Sequence, residues 1–426
     1  MTERTRDMSG SAAHGRRLSR VRAMVRRSPT RGGTGDSVSG SPIKIGLLYS
    51  LTGGLSLTET SIHKGAILAV EQVNAAGGVA GRPLVAVTAD YASDFTAAPV
   101  QAARLLEEER VVACVGGYTS ATRVAVLPVV RDADSVLVYP TYYEGLEEDE
   151  HVFYAGALPN QFLFDYIRWV CANLGERIYM IGSDYIYPRT LGAMIRHLVA
   201  GAGAELVADR YVPLGAEDFR HVMEEIDATR PDVILSNVVG SDSVPAFYRQ
   251  FHSAGHSAES LPIAATVTTE AELRAMGPAL GAGHFMTAAY FGSLRTPAND
   301  RYRRAFRARF GQSEVTHVAQ IGAYNAVWLL ALAAKRAPEV TGRGLRTALV
   351  GTRFDGNPSG WPLEVYPNHH TGHPAYIGRA RRDGQFEILE EFGPREPDPY
   401  PALIVPAERR PRRRVSEQEP SAARDA

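Results

Sequence analysis

Nearly every position of the run Ile43-Lys44-Ile45-Gly46-Leu47-Leu48-Tyr49-Ser50 is apolar. A run this short and continuous predicts a strand buried on both faces. The loop Leu51-Thr52-Gly53-Gly54 then leads to a helical stretch from about Thr58 to Ala76, where Ile62, Ala66, Ala69, Val70 and Val73 recur on one face. Gly77-Gly78 marks its end. The alternation continues with strand 84–89, helix 95–109, strand 111–117, helix 121–133 and strand 135–140. Short apolar strands separated by longer helices predict parallel βα units, and so a doubly wound sheet.

A second series starts at Pro159-Asn160, with Asn160 expected to cap a helix reaching Leu174. Strand 177–182, helix 188–202, strand 205–213, helix 216–229, strand 232–238 and helix 242–254 follow, then strands 261–266 and 283–290. Helices at 297–310 and 316–337 come next, the latter strongly apolar. A short helix at 341–350 precedes strands 362–367, 375–382 and 385–390. The fold class predicted is α/β, with two doubly wound parallel-sheet lobes and a cleft between them. The expected division gives 43–157 plus about 287–340 to lobe 1, and 158–286 plus about 341–400 to lobe 2. Segments 1–42 and 401–426 are expected to be a disordered basic N-terminal extension and a disordered C-terminal tail.

Composition narrows the function. The length of 426 residues suits two lobes better than one core. The net charge of −1 conceals basic ends around a body, 43–400, with 31 basic and 40 acidic residues. An acidic body argues against a direct nucleic-acid binder. Lys44, Lys64 and Lys335 are the only lysines in the sequence, so a G-x-x-x-x-G-K-[ST] phosphate loop cannot be written here. Two cysteines, Cys114 and Cys171, make neither a disulfide framework nor a four-thiolate zinc site, and their apolar context predicts buried free thiols. No apolar run of eighteen residues occurs, which argues against a transmembrane helix. Arg16-Arg17 is not followed by an apolar stretch of signal-peptide length, so the sequence as written predicts a cytoplasmic protein, and an extracytoplasmic one if its start is mis-called.

Ligands of open parallel sheets bind beyond the carboxyl ends of the strands. Those positions here hold Tyr118-Thr119-Ser120, Tyr139-Pro140-Thr141-Tyr142-Tyr143-Glu144, Ser183-Asp184-Tyr185-Ile186-Tyr187-Pro188 and Thr268-Thr269-Glu270. Tyrosines and small hydroxyls dominate, with few full charges, which suits a small neutral ligand gripped between aromatic faces. Ser120 is also placed to cap helix 121–133. The cluster His369-His370-Thr371-Gly372-His373 lacks helical spacing and a carboxylate partner, so it reads as a polar turn rather than a metal site. No cofactor is expected.

The segments Gly117-Tyr118-Thr119-Ser120-Ala121-Thr122-Arg123, Tyr139-Pro140-Thr141-Tyr142-Tyr143-Glu144-Gly145, Pro159-Asn160-Gln161 and Gly182-Ser183-Asp184-Tyr185-Ile186-Tyr187-Pro188-Arg189 resemble the amide–urea branch of the type I periplasmic-binding-protein family. The similarity covers roughly 43–400, including Tyr211-Val212-Pro213-Leu214 and Pro397-Asp398-Pro399-Tyr400. The branch includes a cytoplasmic amide sensor that regulates an aliphatic amidase operon and a urea-binding component of an ABC transporter. The resemblance implies a non-enzymatic clamshell binder, with the ligand against Tyr118, Ser120, Tyr139, Thr141 and Tyr185, and with Tyr187 and Thr268-Thr269 closing the far wall. Tyr142 departs from the sensor, which has proline there, and is nearer the transporter pattern.

The leading expectation is therefore a urea or short-chain amide binder acting as a cytoplasmic sensor that contacts a regulatory protein, possible homo-oligomers included. One alternative keeps the ligand and makes the protein the receptor of an ABC permease. A branched-chain amino-acid binder would use Asp184 or Glu270 for the ammonium group. An amidase would need Ser183 or Ser120 as a nucleophile beside a base.

Overall fold

The computed structural model describes residues 40–405. Apart from 40–42 and 401–405, the two segments expected to be disordered lie outside the described residues. In chain order the first elements are β1 (Ile43–Tyr49), α1 (Ser56–Ala75), β2 (Leu84–Asp90), α2 (Ala97–Ala103), which continues through a π turn to Glu108, β3 (Cys114–Gly116), α3 (Ser120–Asp132), β4 (Leu137–Tyr139) and β5 (Val152–Tyr154). The chain then forms α4 (Pro159–Asn173), β6 (Arg177–Ser183), α5 (Ile186–Gly201), β7 (Glu205–Val212), α6 (Arg220–Thr229), β8 (Val233–Asn237), α7 (Ser243–Ser253), β9 (Ile263–Ala265), α8 (Glu270–Met276), α9 (Pro278–Gly281) and β10 (Phe285–Ala288). It ends with α10 (Pro297–Phe310), α11 (Val318–Arg336), α12 (Gly342–Leu349), β11 (Arg353–Phe354), β12 (Leu363–Glu364), β13 (His373–Ala380) and β14 (Phe386–Arg395).

Two sheets result. The first is parallel throughout, in the order β2-β1-β3-β4-β5. The second runs β7-β6-β8-β9-β10-β13-β14, parallel through β10, with an antiparallel β13-β14 edge. Each sheet is covered by helices, which explains why its central strands are nearly continuous apolar runs: β1, β6 and β8 are buried along almost their whole length. This is the two-lobed α/β architecture predicted from the alternation.

Helix α11 packs along α1 and against β3 and β4. In length and composition it could cross a membrane, although polar residues interrupt its apolar run; 83% of its most apolar stretch is instead buried inside the fold. Of the cysteines, Cys114 is buried and its thiol is pushed up to about 12 by burial, while Cys171 is only partly buried.

Two boundaries differ from expectation. Asn160 does not cap α4; Leu158 stands at that position, with Gln161 accepting a hydrogen bond from its amide at 2.7 Å, and the Asn160 amide instead reaches Glu396 and Asp398 in the C-terminal segment. Helix α12, expected in lobe 2, packs on α11, and Arg346 bonds Asp134 at 2.6 Å and the Ser135 carbonyl at 3.2 Å. His370 then bridges to Tyr154 at the edge of the first sheet, so the chain enters the second sheet only at β13.

Candidate ligand-binding site

The site is built from turns that leave the carboxyl ends of parallel strands. At the end of β3, Gly116 and Gly117 have φ of +148° and +74°, and a Cβ on Gly116 would stand 2.2 Å from the Leu48 carbonyl oxygen. Only glycine fits this close approach, and the turn carries Tyr118 into the cleft. Thr119, not Ser120, caps α3: its Oγ1 accepts from the Thr122 amide at 3.1 Å. Ser120 is the first helical residue, so its hydroxyl is available elsewhere. The segment after β4 contributes Thr141 and Tyr142, and the start of α5 contributes Tyr187, with Tyr185 just before it.

Tyr118, Ser120, Tyr139, Thr141, Tyr142, Tyr185 and Tyr187 all line one cavity between the lobes. Of the eight site residues expected, only Thr268 is missing from its wall. Val267, the preceding residue, and Val239, which follows β8, close the far side instead. Thr268 is buried next to Val267, and Thr269 caps α8. The space open to the centre of a water-sized sphere is ≈ 10 Å³, about what one water requires.

No lining residue is charged. Burial raises the pKa of Tyr118, Tyr139, Tyr142, Tyr185 and Tyr187, so each phenol keeps its proton. The hydroxyls differ in what they can still do. Tyr139 Oη donates to the Tyr118 carbonyl at 2.8 Å. Ser120 Oγ donates to Glu144 Oε2 at 2.5 Å and accepts from Arg123 Nη1 at 3.2 Å. Thr141 Oγ1 and Tyr187 Oη are buried with no hydrogen-bond partner. Buried polar atoms are normally paired, so these two are lining hydroxyls with hydrogen-bonding capacity left over.

A charged group stands behind this neutral wall. Arg123 is buried and reaches Glu144 at 3.0 Å and Glu147 at 3.0 Å, with its guanidinium over the rings of Tyr139 and Tyr143. Burial alone would lower its pKa, but the two carboxylates and the tyrosine rings raise it overall, so it stays charged. The sequence quotes Arg123 and Glu144 within its motifs, yet nothing in their spacing shows that they meet.

The other candidates lie elsewhere. Asp184 is half-exposed and paired with Arg189 at 2.8 Å. Glu270 accepts from the Gly292 amide at 2.7 Å, and burial pushes its pKa up to about 8. Ser183 Oγ is tied to the Val239 amide at 2.9 Å and carbonyl at 3.3 Å. In the histidine cluster, His370 Nε2 meets Tyr143 Oη at 2.5 Å, His369 Nδ1 meets the Asp149 carbonyl at 3.0 Å and His373 Nε2 meets Thr371 Oγ1 at 2.8 Å. All three rings are engaged where the chain passes between the sheets.

Contacts across the cleft enclose the cavity. Thr58 Oγ1 donates to Glu272 Oε1 at 2.9 Å, and the Ser241 amide lies 3.4 Å from the Gly54 carbonyl. The Thr269-x-x-Glu272 capping box that positions Glu272 is a readable sequence signal for α8, a helix not among those expected.

Two doubly wound lobes meeting over a small lined cavity give a shape that can enclose a small solute. Residues 43–405 match the periplasmic binding protein domain family, so the chain belongs to that family, in its type I form. Among its relatives are Leu/Ile/Val-binding protein homolog 7 of Brucella abortus, 27% identical over 244 residues, and homolog 8, 28% identical over 231. These alignments cover 53% and 50% of this chain, and span 59% and 56% of the relatives' own lengths. Among solved structures, a branched-chain amino acid transporter substrate-binding protein of Streptococcus pneumoniae in complex with isoleucine matches with a TM-score of 0.73, at 21% identity, covering 83% of this chain and 100% of that one. An ABC transporter solute-binding protein of R. palustris in complex with 4-hydroxybenzoate matches with a TM-score of 0.76, at 19% identity, covering 83% and 98%. At these identities the structural matches speak for the fold.

Proposed function

We propose that this solute-binding protein takes urea or a short-chain aliphatic amide, and takes it without chemical change. The observation that carries this reading is the lining: five tyrosines, one serine, one threonine and two valines, with no charged group among them. A free amino acid brings an ammonium and a carboxylate, and burying either without a partner costs several kcal/mol. The acids that could have met the ammonium, Asp184 and Glu270, do not line the cavity. A neutral amide needs only hydrogen bonds. Ser120 Oγ has an acceptor position left for an N–H, and Thr141 Oγ1 and Tyr187 Oη can donate to a carbonyl oxygen.

Size sets the affinity to expect. With a ceiling near −1.5 kcal/mol per heavy atom, a four-atom ligand binds with at most about 6 kcal/mol, or roughly tens of micromolar.

A branched-chain amino acid is the second reading, favoured by the names of the Brucella relatives. For the output, the transporter proteins among the structural matches support delivery to an ABC permease; the regulatory sensor is the rival. Mapping the N-terminus and compartment of the native protein decides between them.

Calorimetric titration with urea, acetamide and leucine in turn tests the ligand. Saturable micromolar binding of urea or acetamide, abolished by Tyr118→Ala or Ser120→Ala, is the expected result. Binding of leucine alone overturns the neutral-ligand reading.

A further inference from the structure

We infer that Glu144, which does not line the cavity, sets the ligand's polarity by fixing the direction of the Ser120 hydroxyl. The inference rests on the neutral-amide reading and adds the residue that enforces it. Ser120 has one proton and two lone pairs. The proton lies toward Glu144 Oε2 at 2.5 Å, and one lone pair accepts from Arg123 Nη1 at 3.2 Å. What remains for the cavity is a single lone pair.

Ser120 therefore presents an acceptor. A ligand N–H satisfies it; a carboxylate or carbonyl oxygen in the same place meets a lone pair and no donor.

The hydroxyl cannot easily turn round. Glu144 is 3% exposed, and its other oxygen is held by Arg123 Nη2 at 3.0 Å. Arg123 is held in turn by Glu147 at 3.0 and 3.3 Å and by the rings of Tyr139 and Tyr143 at 4.8 and 4.5 Å. Directing the Ser120 proton into the cavity would leave a buried carboxylate oxygen without its donor, which costs more than an ordinary hydrogen bond is worth. Glu144 is thus a positioning residue acting through Ser120.

The substitution Glu144→Gln reverses the logic. Arg123 requires an acceptor, so the new amide turns its oxygen to the guanidinium and its N–H to Ser120. Ser120 then accepts from both neighbours and points its own proton into the cavity. The favoured ligand shifts from N–H donors toward oxygen acceptors of the same shape.

The test uses the full chain and isosteric pairs, acetamide with acetate, benzamide with benzoate and leucinamide with leucine, titrated into wild type, Glu144→Gln and Glu147→Gln. Wild type is expected to prefer acetamide to acetate. In Glu144→Gln that ratio falls by about tenfold or more, the worth of one hydrogen bond to a charged group. Glu147→Gln, which touches Arg123 but not Ser120, keeps the ratio. If Glu144→Gln does not fold by thermal unfolding, Glu144→Asp replaces it: the shortened carboxylate keeps its charge beside Arg123 but withdraws from Ser120, and a fall in the same ratio is expected. Acetamide binding with an unchanged ratio in these variants overturns the role of Glu144 and leaves the amide reading intact. A wild-type preference for the carboxylate in whichever pair binds, or silence from all three, overturns both.

Discussion

Tyr142 of the first lobe and Tyr187 of the second meet edge to plane across the cleft, with ring centroids 6.1 Å apart and planes at 67°. Tyr142 also packs at 6.0 Å against Phe162 on α4, so it touches the second lobe twice while lining the cavity. This is the position where the sequence departs from the amide-sensor pattern, and its bulk narrows the space left for a ligand side chain.

Tyr142→Ala is expected to weaken acetamide binding by about fivefold, since aromatic pairs contribute about 1 kcal/mol beyond their burial. The space released by the ring should let larger amides in, so affinity for butyramide rises relative to acetamide. Titration with both ligands checks this, and a parallel loss for both would show that Tyr142 does not set size.

Thr58 and Glu272 give a measure of closure. Their 2.9 Å hydrogen bond joins α1 to α8 across the cleft, so it stabilises the closed form alone. Removing it with Thr58→Ala lowers the closed population, and apparent affinity falls with that population. A buried hydrogen bond is worth about 1 kcal/mol, so a rise in Kd of roughly fivefold is expected, with little change in Tm. Small-angle scattering should show a more expanded ligand-free protein.

Thr141 separates binding from stability. Its Oγ1 is buried and unpartnered, so Thr141→Val removes a desolvated hydroxyl while nearly keeping the shape. The variant should be as stable as wild type or more stable by up to about 1 kcal/mol. Ligand affinity should fall by about tenfold as the carbonyl loses a donor. Equal affinity in thermal-shift and titration measurements would remove Thr141 from the site.

Glu59 gives the protein a pH dependence of known sign. It is buried on α1, accepts from Tyr91 Oη at 2.7 Å and from the Ser50 amide at 2.7 Å, and burial pushes its pKa up to about 8 from 4.5. The folded state therefore holds the proton more tightly than the unfolded one. Stability from this group is complete below about pH 4.5 and is lost as pH rises through 8, by at most a few kcal/mol. The buried histidines act in the opposite direction. Burial lowers His284, His317 and His370 to about 3, so their contribution is complete above pH 6.5 and is lost as pH falls toward 3. Glu59→Gln should flatten the decline in Tm between pH 5 and 8.5 while leaving the acid limb unchanged. An unaltered profile would show that Glu59 is not protonated in the fold.

Much of the architecture was legible along the chain because burial imposes a local period. Helix 297–310 ends where its amphipathic pattern ends, and β1 and β6 lie where short apolar runs predict them. What escaped notice was short or settled from a distance. Strand β5 has three residues, too few for a period to show. Asn160 has the chemistry of a cap, but it is drawn off by Glu396 and Asp398, more than two hundred residues along the chain. Helix α12 carries no mark of which lobe it joins; its partners are α11 and the acid at 134.

The sequence by itself determined two α/β series and placed tyrosines and small hydroxyls at the carboxyl ends of their strands. Those features follow from periodicity and from the rule that parallel strands point their turns at one edge, both of which operate over a few residues at a time. Only the tertiary structure decided that Val239 and Val267, not Thr268, complete the wall, and that Ser120 gives its proton to an acid 24 positions away. It alone decided that Thr58 meets Glu272 across 214 positions. Hydrogen-bond direction depends on which groups are brought within 3 Å of one another, and the packing of two lobes sets those distances.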